Sequence, residues 1–237
     1  MRAQNSAPDG NDAGGTSAIS DDVSFRKILQ SQWRVPDFSQ EAVPRVLLEE
    51  CLELALHAPY RPQFGAPTFV LVEAEDIRRS ISELSRTMAE AYVARRDASP
   101  ELKAQIGEST SRIGDAPWIV VPCYSIPAGP LEHHEAAERY GSIFPSVQNL
   151  LLSFHAVGLG SWMTTSGLAT PILGRLLELP EGILPCAVIP VGWPAAPLER
   201  QTRIISIERL TFLNVYNNRL SSGPLDPQEA VPSETGK

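Results

Sequence analysis

The apolar positions of this chain fall into helix-spaced faces and short continuous runs, and the strongest pattern is helical. In the stretch from Ser146 to Gly158 (SVQNLLLSFHAVG), Val147, Leu150, Leu151, Leu152, Phe154 and Val157 cover most of a helix's circumference. A helix of that kind is expected to be buried on several sides and to form the centre of the core. Gly158 stops it, and Leu159-Gly-Ser-Trp-Met-Thr-Thr165 then reads as a short strand ending in small hydroxyl residues. Upstream, Pro44 occupies a first helical position, and Leu47, Leu48, Cys51, Leu54, Ala55 and Ala58 form a helix-spaced face as far as Pro59. Ser20 followed by Asp21 and Asp22 predicts a capped helix over Val23, Phe25, Ile28 and Leu29, closed by Val35-Pro36. Two charged amphipathic stretches, 75–97 and 99–113, read as a helical excursion or lid, with Ser99-Pro100 starting the second. A further helix is expected at 170–179.

Short, continuous apolar runs mark the strands. Thr68-Phe-Val-Leu-Val-Glu73, Trp118-Ile-Val-Val-Pro-Cys-Tyr124 and Cys186-Ala-Val-Ile-Pro-Val-Gly192 are short apolar runs, joined by 160–165 and by 203–209. Strands interleaved with longer helices predict an α+β or α/β sandwich, with helices on both faces of a central sheet. Residues 1–20 and 221–237 have little to bury and are expected to be disordered tails around one domain at 21–220. The apolar-aromatic segment LTFLNVYNNRL (210–220) has no evident place in its own core and is expected to reach onto a partner subunit.

Composition narrows the function classes. With 237 residues, 43% of them hydrophobic, the chain can bury one substantial core. It has no apolar run long enough to cross a bilayer and no apolar leader core, so a cytoplasmic protein without a membrane partner is expected. A formal charge of −8, with arginines only in short scattered spots, argues against a nucleic-acid surface. Cys51, Cys123 and Cys186 sit singly inside apolar segments and read as buried thiols rather than a disulfide framework or zinc site. His133-His134-Glu135 lacks a third ligand at metal spacing, so no metal is expected. His155 reads as a satisfied core histidine, and His57 as a helix-terminal cation.

Four blocks resemble, in order, the nitroreductase superfamily of FMN-dependent oxidoreductases. Phe38-Ser-Gln-Glu-Ala-Val-Pro44 with Leu47-Leu48 and Ala55-x-x-Ala58-Pro59 is similar to that family's first helices. QNLLLSFHAVGLGSWMTT is similar to its core-helix signature, Leu177-Glu-Leu-Pro-Glu-Gly182 to its LGLPEG turn, and Val188-Ile-Pro-Val-Gly-Trp-Pro194 to the end of a strand. The resemblance implies an α+β three-layer sandwich with a central mixed sheet, a homodimer, FMN as cofactor and NAD(P)H as co-substrate.

The resemblance also implies site residues. The family's Arg-x-Ser-x-Arg phosphate grip falls on Gln32-Trp-Arg-Val-Pro36, where Gln32 and Pro36 take both basic positions and Arg34 takes the serine position. Arg200 and Arg203 match a second phosphate-binding group. In the loop that reaches the flavin across the dimer interface, Arg61 replaces a small residue and Gln63 an asparagine, while Tyr60 and Phe64 are bulkier than the usual occupants. Thr164 to Gly167 match the loop whose backbone meets flavin N5, so Thr165, Ser166 and Gly167 complete the expected cofactor set of Arg34, Arg61, Gln63, Arg200 and Arg203. No residue reads as an obligate acid or base. The expected activity is an FMN-dependent oxidoreductase acting on a small electron-poor or biosynthetic molecule. The replaced basic pair leaves open a flavin-free structural or partner subunit, and a binding protein for another anion is a third reading.

Overall fold

The structure, a computed structural model, describes residues 25–62, 65–95, 99–125, 133–165, 170–197, 207–216 and 218. The chain runs α1 (Phe25–Ser31), α2 (Arg45–Ala55), β1 (Thr68–Val72), α3 (Glu75–Ala94), α4 (Pro100–Ser111), a short 3₁₀ turn (Ile113–Asp115) and β2 (Trp118–Ser125). It continues through α5 (His133–Ala156), β3 (Gly160–Ser161), α6 (Thr170–Leu176), β4 (Ile183–Pro185), β5 (Ile189–Gly192) and α7 (Ile207–Leu210).

β2 organises the sheet because its residues are apolar on both faces, as a strand covered from both sides must be. Trp118 and Val120 point into a core filled by α2 and α5 through Leu48, Cys51, Ala55, Val147, Leu150 and Phe154. Ile119, Val121 and Cys123 point the other way, toward Ile81 of α3, Ile113 and Leu173 of α6. Alternation along one strand thus builds three layers, which is the expected α+β sandwich. β1 pairs antiparallel with one side of β2, and β4 and β5 pair antiparallel with successive halves of its other side. β3 extends β5. The named ladders are antiparallel, and the parallel element of the sheet is the bridge from Arg34 to Ser161.

Several boundaries differ from the sequence reading. The strand expected at 186–192 starts earlier as β4, breaks at Cys186 and Ala187, and resumes as β5. The strand expected at 160–165 is only β3, followed by an isolated bridge between Thr164 and Val188. α5 starts at His133 and runs through Pro145, whose missing N–H costs the bond to the Gly141 carbonyl. α3 is a structural layer: Ile81, Ser82, Ser85, Ala89 and Val93 are its buried face. Residues up to Glu199 form one compact unit and those from Arg200 a second. Of the strand expected at 203–209, residues 203–206 lie outside the described residues and Ile207–Leu210 is a helical turn. Beyond it Phe212 stacks on Tyr216 at 4.4 Å between ring centroids, and Leu213, Val215 and Tyr216 are exposed.

Candidate functional site

The segment 34–39 crosses the end of the sheet as a strap. Val35 N–H donates to the Ser161 carbonyl (3.4 Å), Ser39 N–H to Trp193 (2.8 Å), and Ala195 N–H to Asp37 (3.1 Å). Val35 is buried against Gly160, where a β-carbon would lie 2.6 Å from the valine, so only glycine lets the strap approach so closely. The indoles of Trp118 and Trp193 donate to the carbonyls of Val43 and Ala42, fixing the chain where the strap enters α2.

This fixation places Arg34. Its guanidinium carbon stands 4.3 Å from the centroid of the Trp162 ring, a cation–π contact. Trp162 is buried, and its Nε1 donates to nothing among the described residues. Two residues on, Thr164 exchanges both backbone hydrogen bonds with Val188 (3.0 and 2.9 Å), which anchors the start of the loop that follows. Trp162 and Thr164 face inward while Met163 and Thr165 face outward. The chain therefore leaves the sheet with a fixed cation beside it and two side chains presented to solvent.

Of the other expected site residues, Arg61 stands elsewhere. Its Nη1 pairs with Glu138 Oε1 at 2.6 Å and its backbone N–H donates to Ser142 Oγ at 3.3 Å, both on the N-terminal half of α5. That pair is about half exposed and contributes under about 1 kcal/mol. Arg34 lies by Ser161, just beyond the other end of α5. At 1.5 Å per residue, the helix from Glu138 to His155 puts about 25 Å between the two regions. One chain therefore holds Arg34 and Arg61 at different ends of α5, and the expected loop carrying Arg61 is one that reaches the flavin across the dimer interface. Gln63, Ser166, Gly167, Arg200 and Arg203 lie outside the described residues, as does Phe64.

His155 and the three cysteines are structural. His155 is half-buried, and burial lowers its pKa. Its Nε2 lies 2.8 Å from Ser31 Oγ, tying α1 to α5, so the histidine is hydrogen-bonded as expected but sits at the margin of the core in the last turn of α5. Burial pushes the thiols of Cys51, Cys123 and Cys186 each up to about 12, so none is a nucleophile near neutrality. Among the described residues no group of three or more His, Cys, Asp or Glu could hold a metal, and no helix is long and apolar enough to cross a membrane. Sequence reasoning missed Trp162 as the platform for Arg34 and Glu138 as the partner of Arg61. Both contacts join residues distant in sequence, so no local spacing signals them.

Comparison with known proteins identifies the fold and the family. The iodotyrosine dehalogenase 1 homolog of Caenorhabditis elegans is 25% identical over 188 residues, 74% of this chain, and the chain spans only 58% of that relative's length. The solved structure of oxidized iodotyrosine deiodinase bound to FMN and 3-iodo-L-tyrosine matches with a TM-score of 0.64 at 21% identity, covering 79% of this chain and 99% of that one. The NADPH:FMN oxidoreductase of Vibrio harveyi, complexed with NAD+, matches with a TM-score of 0.64 at 14% identity over 81% of this chain and 77% of its own. Likenesses at that identity show the fold alone. The match that settles the family is to the nitroreductases, over residues 34–193, from the arginine of the strap to the tryptophan just after β5: this chain belongs to the nitroreductase family.

Proposed function

We propose that the chain is an FMN-dependent oxidoreductase that works as a homodimer on a small organic molecule, with NAD(P)H as the electron donor. Family membership and the fold support an oxidoreductase, and the FMN in the iodotyrosine deiodinase structure supports the choice of flavin. The observation that carries the reading is Arg34, held over Trp162 beside the Thr164 anchor.

The residues present fit an anionic, planar cofactor. Arg34 supplies a guanidinium suited to phosphate or to an anionic ring edge. The outward-facing Met163 and Thr165 offer an apolar and a hydroxyl contact on the same side of the strand. Arg200, Arg203, Gln63, Ser166 and Gly167 complete the set in this proposal. Bound there, the flavin supplies the hydride chemistry, and the chain supplies position and charge. Backbone amides beyond Thr165 would hold the ring by hydrogen bonds, and Arg34 would favour negative charge next to it.

The same geometry supports the homodimer in this reading. Arg34 and Arg61 lie near opposite ends of α5, so a two-fold pairing of antiparallel α5 helices brings Arg61 of one chain toward Arg34 of the other. The outer side of α5 suits such a pairing: Tyr140 is exposed, and Phe144 and Leu152 are only half-buried.

Absorption of the purified protein tests the proposal. A flavin band that bleaches with NADH or NADPH is expected, and Arg34→Ala should weaken FMN retention at least tenfold. Colourless protein that takes up no added FMN would overturn it and leave the flavin-free partner subunit, which the replaced basic positions Gln32 and Pro36 favour.

A further inference from the structure

The turn after α2 and the N-terminal half of α5 border a cleft of about 500 Å³, lined by Tyr60, Arg61, Ala137, Glu138, Gly141 and Ser142. That lies within the usual size of small-molecule sites, roughly 300–1,000 Å³. The four α5 residues fall at i, i+1, i+4 and i+5, so one face of the helix makes a whole wall. The two walls are tied together: Arg61 N–H donates to Ser142 Oγ at 3.3 Å, and Ser142 Oγ donates to the Glu138 carbonyl at 3.0 Å. The cleft is therefore formed before any ligand arrives.

Its charges come as a matched pair. Arg61 Nη1 and Glu138 Oε1 lie 2.6 Å apart, and the two side chains are 53% and 37% exposed. A pair so open to water is held weakly, and incoming charges can replace it. A ligand with both an anion and a cation breaks one pair and forms two, whereas a ligand with a single charge only exchanges one for another. The helix adds an acceptor on the acidic side. Pro145 has no N–H for the Gly141 carbonyl, and Gly141, one turn on from Glu138, is exposed. A β-carbon built on Gly141 meets nothing within 4 Å, so the wall is open there. Tyr60, which is 42% exposed, and Ala137 supply apolar surface beside these polar groups.

We propose that this cleft binds an α-amino acid with an apolar side chain. Arg61 takes the carboxylate, Glu138 and the Gly141 carbonyl take the ammonium, and the side chain lies against Tyr60. Binding itself needs no flavin. That such an amino acid is the substrate rests on the proposed homodimer, which brings the Arg61 end of one chain toward Arg34 of the other.

Titration calorimetry of the full chain, with and without added FMN, tests the proposal with three probes: L-leucine, 3-methylbutylamine, which lacks the carboxylate, and 4-methylpentanoate, which lacks the ammonium. Leucine is expected to bind at least tenfold more tightly than either analogue. Arg61→Gln should bring leucine down to the level of the amine, and Glu138→Gln down to the level of the carboxylate. Gly141→Leu puts a bulky side chain in the cleft at a helical position where leucine is the better helix former. It should abolish leucine binding without lowering the thermal unfolding midpoint. The proposal is overturned if leucine does not bind, if it binds no better than its singly charged analogues, or if folded Gly141→Leu protein keeps its affinity. Protein that prefers leucine but takes up no FMN would sink the flavin reading and leave the amino-acid cleft standing; protein that takes up FMN but not leucine would overturn the cleft alone.

Discussion

At the scale of single residues, close packing sets the tightest limits. A β-carbon on Gly160 would meet all three side-chain carbons of Val35 at 2.6 to 2.8 Å. Gly160→Ala should therefore lose about 1–3 kcal/mol, the usual cost of overpacking, read as a lower urea midpoint. The same variant should loosen flavin binding, because the pushed residue is the neighbour of Arg34. Phe154 is fully buried on α5, and Phe154→Ala should cost about 3–5 kcal/mol in the same assay. The three thiols give a pH dependence. The unfolded chain releases thiol protons near 9.0, whereas the folded chain holds them to about 12. Stability should thus be constant below pH 8 and fall as pH rises from 9 toward 12, by up to about 1.4 kcal/mol per pH unit for each thiol. Urea unfolding at pH 8 and pH 10.5 reads the difference. A thiol reagent at pH 8 should label none of the three in the native protein and all of them in denaturant.

At the scale of elements, a single side chain holds α3 to the turn before β2. Arg78 donates through Nε to the Glu73 carbonyl (3.0 Å) and through Nη1 to the carbonyls of Gly114 (2.9 Å) and Ala116. Arg78→Ala would leave three carbonyls to find other donors and should cost about 2–4 kcal/mol, with Arg78→Lys recovering only part. The elements also show how much of the fold was legible. β2 and the second half of α5 could be read directly, because each is buried on more than one side and its sequence is nearly continuous in apolar residues. α3 read as a solvated excursion because much of its buried face is small or polar, with Ser82, Ser85 and Ala89 beside Ile81 and Val93. The first half of α5 was hidden by Pro145 and by Arg139, which break the apolar run without breaking the helix. Beyond β3, Trp162 and Thr164 alternate with exposed neighbours as in a strand, yet only Thr164 finds a bridge. Of the site, Arg34 and the loop from Thr164 were legible through the family resemblance. The cation–π contact that holds Arg34, and the ion pair that engages Arg61, come from tertiary folding and left no periodic trace.

At the scale of the whole molecule, the layers favour the proposal that the site is shared by two chains. The strap and β3 carry Arg34 past one end of α5, while the turn after α2 carries Arg61 to the other, and a rigid helix of 24 residues keeps them apart. A two-fold partner is the arrangement that joins the two ends without distorting either. Sedimentation should accordingly give twice the chain mass, and a charged residue in the outer face of α5, as in Leu152→Glu, should yield monomer that has lost its flavin. The most direct test of the central claim is a titration of the purified, flavin-stripped protein with FMN, followed by absorption. The expected result is saturable uptake of one FMN per chain, with Arg34→Ala at least tenfold weaker; a flat titration with a correctly folded chain would contradict the account.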